Sequence, residues 1–160
     1  MKLLKRSILL SLIFFSICLK PQFINPERGD GFWTQVSTMR MEQIIWSNDT
    51  LYEARGPWSY TNGGAYRSID GGVSWDTLFS VPWGSANGVR IFIHPIDKKI
   101  LYIISGALYK STNYGQSWTV IFNSTTLVRL GINPNNPLIM YVTKTVPFGS
   151  VYKTTNGGTS

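Results

Sequence analysis

The chain of 160 residues is 43% hydrophobic and 14% aromatic with 14% charged residues, a balance that excludes intrinsic disorder and supplies the Trp, Tyr, Val and Ile of a β-sheet core. Three of the cations behind its net charge of +7 are Lys2, Lys5 and Arg6 at the N-terminus. The others, among them Arg40, Arg55, Arg90, Lys110 and Arg129, are scattered, which excludes the basic footprint of a nucleic-acid binder.

In residues 1–20, the three cations precede an apolar run from Ile8 to Leu19 that is short for a bilayer span. It reads as a secretory signal peptide, leaving a secreted, cell-surface or periplasmic mature chain with no transmembrane span. The lone Cys18 follows Ile17, where the lipobox of bacterial lipoproteins has a small residue, and no second cysteine exists for a disulfide. Residues 21–31, with Pro21 and Pro26, read as a linker. Gly31-Phe32-Trp33-Thr34-Gln35-Val36 then looks like a strand that lacks the hairpin seen before its later counterparts.

From residue 32 onward the chain is repetitive. Leu51-Tyr52, Leu101-Tyr102 and Met140-Tyr141 end short apolar runs that read as inner strands. Ala65-Tyr66-Arg67, Leu108-Tyr109-Lys110 and Val151-Tyr152-Lys153 alternate apolar with polar, as half-buried strands do. Each of these leads into a turn: Ser68-Ile69-Asp70-Gly71-Gly72-Val73-Ser74-Trp75, then Ser111-Thr112-Asn113-Tyr114-Gly115-Gln116-Ser117-Trp118, then Thr154-Thr155-Asn156-Gly157-Gly158-Thr159-Ser160, at a constant spacing of 43 residues. A period of that length implies stacked units of about four short strands each. The fold class is therefore all-β, a partial β-propeller of four-stranded antiparallel blades with about three blades in residues 32–160, read as the N-terminal part of a longer array.

The turn chemistry explains the pattern. The carboxyl or amide of Asp70, Asn113 and Asn156 can accept backbone N–H bonds, while Gly72, Gly115 and Gly158 can enter the left-handed region. The hydroxyls of Ser68, Ser74, Ser111, Ser117 and Thr154 can close local bonds, and Trp75 and Trp118 offer large apolar faces expected to be buried. One Asp and two Asn at equivalent places argue for a turn-closing role in every unit rather than catalysis.

The shared (Ser/Thr)-x-(Asp/Asn)-x-Gly-x-(Ser/Thr)-Trp pattern resembles the Asp-box, or BNR repeat, of sialidases, sortilin-type receptors and photosystem assembly-factor propellers. Tyr60-Thr61-Asn62-Gly63-Gly64-Ala65-Tyr66-Arg67 also resembles the Asp-x-Gly-Gly-Ala-Tyr-Arg segment of xyloglucan-cleaving propellers, with Thr61 standing at that family's catalytic Asp. Arg90-Ile91-Phe92 departs from the Arg-Ile-Pro element of sialidases.

Insertions between the repeated strands fall in one connection, and the longest, running from Arg55 to Gly64, carries Trp58 and Tyr60. With Trp83, which like Trp58 follows a proline, these aromatics form a candidate ligand-binding loop set for a protein or carbohydrate partner. Trp46 reads as core. His94, whose counterpart in the next repeat is Asn133, reads as a turn cap, and no residue set implies a metal or cofactor. The expected function is an exported non-catalytic propeller scaffold that binds its partner through one loop face. The alternative is part of an Asp-box glycoside hydrolase, sialidase- or xyloglucanase-like, with its catalytic residues mostly downstream.

Overall fold

The computed structural model describes residues 43–57, 62–82, 88–145 and 149–159. The expected leader, linker and Gly31–Val36 strand, and the loop residues Trp58, Tyr60, Thr61 and Trp83, lie outside them. Among the described residues, eleven strands make up three antiparallel sheets, each in chain order. The first comprises β1 (Gln43–Ser47), β2 (Thr50–Arg55), β3 (Gly63–Ser68) and β4 (Asp76–Val81), and the second β5 (Arg90–Ile93), β6 (Leu101–Ile104), β7 (Leu108–Ser111) and β8 (Thr119–Phe122). The third holds β9 (Leu127–Ile132), β10 (Met140–Lys144) and β11 (Ser150–Thr154). No helix occurs among the described residues.

The repetition extends to irregularities. A bulge falls between Ala65 and Tyr66 where β3 meets β4, and again between Leu108 and Tyr109 where β7 meets β8, one repeat later. The strand landmarks begin the second strand of each sheet, and their burial diverges: Tyr52 and Tyr102 are buried, whereas Tyr141 on the third sheet is exposed.

Two apolar clusters run between the sheets rather than within them. Tyr52, Ala54, Ala65 and Val81 of the first sheet pack on Val89, Ile91, Leu101 and Ile103. Tyr102, Ile104 and Leu108 of the second pack on Leu127, Leu130, Met140 and Val142 of the third. Among the described residues each sheet thus buries a face against its neighbour, the interdependence expected of a repeat array. The Gln43 side-chain oxygen adds a polar tie, accepting the Ile91 N–H at 3.0 Å.

Two expectations need correcting. Trp46 is 49% exposed on β1, because strand alternation that buries Ile45 against the core turns the next residue outward. Trp75 and Trp118 are half-buried, since each indole follows a turn at the end of its sheet, where one edge still meets water.

Candidate functional site

Antiparallel strands joined in order place successive connections at alternating ends of a sheet. In the first two sheets, the turn between first and second strands and the Ser/Asx/Gly turn share one end. The connections 56–62, 82–89, 105–107 and 123–126 reach the other, here termed the loop end.

At the turn end, the first two turns close in the same manner, and the third repeats the hydroxyl bond while its Asn156 accepts an N–H three residues on rather than four. The Ser68 hydroxyl accepts the Gly72 N–H at 2.8 Å and donates to Asp70 Oδ1, also at 2.8 Å, and that oxygen accepts the Ser74 N–H at 2.9 Å. Ser111 accepts the Gly115 N–H at 2.9 Å, while Asn113 Oδ1 accepts the Ser117 N–H at 3.0 Å. Thr154 accepts the Gly158 N–H, and Asn156 Oδ1 the Thr159 N–H. Two consecutive residues per turn are left-handed: Gly71 and Gly72, Tyr114 and Gly115, Gly157 and Gly158. The first of each pair was not marked by the sequence pattern, and Tyr114, at φ 58°, sits where a side chain is disfavoured by roughly 1–2 kcal/mol.

The turns are tied to the neighbouring connection of their own sheet. Tyr114 N–H donates to the Lys99 carbonyl and Gly157 N–H to the Leu138 carbonyl, each at 2.9 Å. Within those connections His94 Nδ1 accepts the Ile96 and Asp97 N–H groups, as Asn133 Oδ1 accepts those of Asn135 and Asn136. Burial holds the His94 imidazole below its usual value, with Lys110 and Lys98 adding to the effect against Asp97. The neutral ring that this favours can accept both bonds.

The tryptophans differ in reach. Trp75 Nε1–H donates to Gly72 of its own turn at 3.1 Å, whereas Trp118 Nε1–H crosses to the Leu78 carbonyl of the preceding sheet at 2.9 Å.

Asp70 yields a test. The Ser74 hydroxyl, then the Ser74 N–H and the Ser68 hydroxyl, donate to its carboxylate and lower its pKa to about 2. A depressed folded pKa gives stability that is present above the unfolded value and lost as pH falls through the folded one. In the second turn the polarity is reversed, since Asn113 Nδ2–H donates to Ser117 Oγ, while in the first Ser74 Oγ–H donates to Asp70. Asp70→Asn is therefore expected to keep the turn near neutral pH by the same reversal and to remove the acid-sensitive contribution. Urea midpoints measured from neutral pH down to about pH 2 check this, and equal acid sensitivity in both proteins would refute it.

At the loop end, Gly88, Arg90, Ile104, Gly106, Thr125, Thr126, Leu127 and Thr145 line an open recess of about 210 Å³. Its polar lining is Arg90 with three threonines, beside two glycines and the apolar Ile104 and Leu127, a set that suits a neutral hydroxylated ligand. Beside the long 56–62 connection, Glu53 is fully buried, and Arg55 donates to both of its carboxylate oxygens, from Nε and, at 2.8 Å, from Nη2. The guanidinium also lies over the Tyr66 ring, 4.2 Å from its centroid, and the bond to Glu53 raises the Arg55 pKa. The sequence reading missed this pair. Its signal was two opposite charges two residues apart on an otherwise apolar strand, hence on one face.

The other described carboxyl groups are placed elsewhere. Asp49 and Asp97 occupy turn-end connections, Asp70 closes its turn, and Asp76 accepts from Arg67 at 2.9 Å. Among the described residues no group of three or more His, Cys, Asp or Glu could hold a metal ion, and no helix is long and apolar enough to cross a membrane.

No protein-family model matches the chain. A xyloglucanase from a Paenibacillus species is 31% identical over 87 residues, covering 46% of this chain and 8% of the relative. The GH74 xyloglucanase of Xanthomonas campestris superposes with a TM-score of 0.57 at 20% identity, over 70% of this chain and 21% of that one. A GH74 enzyme of Niastella koreensis gives 0.55 at 23% identity, over 70% and 20% of the two chains, and an ancestral GH74 enzyme 0.56 at 18%, over 75% and 17%. The chain thus spans less than a tenth of the curated relative and about a fifth of the solved structures. These similarities favour the glycoside-hydrolase expectation over the non-catalytic scaffold. The described residues form a partial β-propeller of antiparallel sheets, a fold shared with the GH74 enzymes.

Proposed function

We propose that this chain is a section of an exported β-propeller glycoside hydrolase, and that its loop end carries part of the surface that binds a β-glucan of the xyloglucan class. In this reading residues 1–20 direct export, residues 21–31 link, and the turns at Asp70, Asn113 and Asn156 are Asp-boxes that staple the blades. The observation that carries it is the segregation of the two ends. Hydrogen-bonded turns crowd one, while the long connections and the hydroxyl-lined recess gather at the other, in a chain whose relatives are xyloglucanases.

The chemistry follows from the lining. Arg90, Thr125, Thr126 and Thr145 offer donors and acceptors for sugar hydroxyls, and Trp58, Tyr60 and Trp83 belong to connections at the same end and offer flat apolar rings. The one described carboxylate near this end, Glu53, is held by Arg55, so the acid and base of the complete enzyme come from residues outside the described set.

Xyloglucan binding by the chain, measured by affinity electrophoresis, is expected to weaken about tenfold, about 1.4 kcal/mol, in Trp58→Ala combined with Trp83→Ala. The melting temperature should stay unchanged, as expected for loop aromatics that leave the core intact. Equal retention of the parent and the double variant would refute the assignment of the face, and absence of retention by xyloglucan would refute the ligand class.

A further inference from the structure

The connection ahead of the Asn113 turn and the connection ahead of the Asn156 turn follow one plan. Between β5 and β6 the His94 N–H donates to the Ile100 carbonyl at 3.0 Å, and the Ile100 N–H to the Asp97 carbonyl at 3.1 Å. Between β9 and β10 the Asn133 N–H donates to the Ile139 carbonyl at 3.0 Å, and the Ile139 N–H to the Asn136 carbonyl at 2.9 Å. Each connection then offers one carbonyl to the turn that follows, Lys99 to the Tyr114 N–H and Leu138 to the Gly157 N–H.

The two relays differ at both ends. The cap at the start of one is His94 Nδ1, accepting the Ile96 N–H at 3.3 Å and the Asp97 N–H at 2.9 Å, while in the other it is the amide oxygen of Asn133. The left-handed residue at the finish is Tyr114 in one, at φ 58°, and Gly157 in the other, at φ 68°. An amide oxygen accepts at every pH and glycine enters that region freely. An imidazole accepts only while Nδ1 carries no proton, and a Cβ resists the left-handed region. One repeat therefore joins a titratable cap to a strained turn, and its neighbour has neither.

We propose that His94 is an acid-released latch: a proton on Nδ1 expels the Ile96 and Asp97 N–H groups, and the slackened connection lets the Lys99 carbonyl give up Tyr114. Four residues beyond Tyr114 stands Trp118, whose indole donates to the Leu78 carbonyl of the first sheet. Release of the turn thus loosens the clasp between two sheets. The latch lies at the turn end, so it is independent of the glucan reading of the loop end.

The surroundings of the ring set the direction. Burial disfavours the imidazolium most, Lys110 on β7 and Lys98 in the connection oppose it by charge, and Asp97 favours it. Lys98 is held close, donating from Nζ to the carbonyls of His94 at 3.4 Å and Pro95 at 2.9 Å, while one Asp97 carboxylate oxygen is engaged by the Lys99 N–H at 3.0 Å. With the folded value below the ordinary 6.5, the contribution of the latch is complete above that pH and is lost as pH falls through the folded value. Asp70, lowered to about 2, stays ionised throughout this window.

His94 is the one histidine of the chain, so a single imidazole signal reports it in the NMR spectrum of the full chain. Between about pH 7.5 and about pH 5 the expected result is a titration midpoint below 6.5. In step with it, hydrogen-exchange protection should fall about tenfold at Ile96, Asp97 and Tyr114, after correction for the intrinsic pH dependence, while Asn135, Asn136 and Gly157 keep theirs. His94→Asn, which installs the cap of the neighbouring repeat, should hold protection at the three amides across the window. A midpoint at or above 6.5, protection that survives protonation, or the same loss in His94→Asn would overturn the proposal. Loss at Ile96 and Asp97 with Tyr114 still protected would overturn it as well, by confining the effect to the connection.

Discussion

Trp118→Ala is expected to destabilise the protein by about 3 kcal/mol, the low end for truncating a large aromatic because the ring is half-buried. The side chain belongs to the second sheet by sequence and to the first by contact. It packs on Phe79 and the neighbouring apolar cluster and donates to the Leu78 carbonyl. Its removal both opens a void between sheets and leaves that carbonyl without the indole donor, a loss of about 1 kcal/mol of the total. Trp118→Phe should recover the packing share and not the hydrogen-bond share. Trp75→Ala should cost less, about 1–2 kcal/mol, because its indole bonds only the carbonyl of its own turn. Chemical denaturation of the three variants checks the order, and equal losses at Trp75 and Trp118 would show that the cross-sheet contact contributes nothing of its own.

Arg55→Ala is expected to be at least as damaging, about 3–5 kcal/mol near neutral pH, through a different mechanism. Glu53 has no exposure, and Arg55 supplies both of the hydrogen bonds observed to its carboxylate. Removing the cation leaves a buried charge without compensation, which is costlier than the pair was worth. Replacing both residues by methionine should recover most of the loss, since nothing ionised is left behind. Chemical denaturation compares the single and double variants, and a double variant as unstable as the single would show that Arg55 acts through packing on Tyr66 instead.

These two positions mark the boundary between what was legible and what was not. The Asp70, Asn113 and Asn156 turns could be read directly because every donor and acceptor in them lies within about five residues, so composition and geometry coincide. The strands before them could be read from two-residue alternation, and their grouping into sheets from the 43-residue period. Trp46 was misread because an apolar run does not say which of its alternate residues faces the core. Ile45 took that place, and Trp46 went outward. The candidate site was legible only in part. The long connection between β2 and β3 announced itself by its length, but its companions Arg90, Thr125 and Thr145 lie in three different stretches of sequence that carry no shared motif.

The sequence by itself determined the unit: a tight Asx and glycine turn, its flanking strands and the interval at which they recur, because those depend on torsions and hydrogen bonds among near neighbours. The tertiary structure alone decided what each unit meets. Which carbonyl receives the Trp118 indole, which cation neutralises Glu53 and which connections share an end are set by how the sheets pack, and packing satisfies contacts between residues that the chain order leaves far apart.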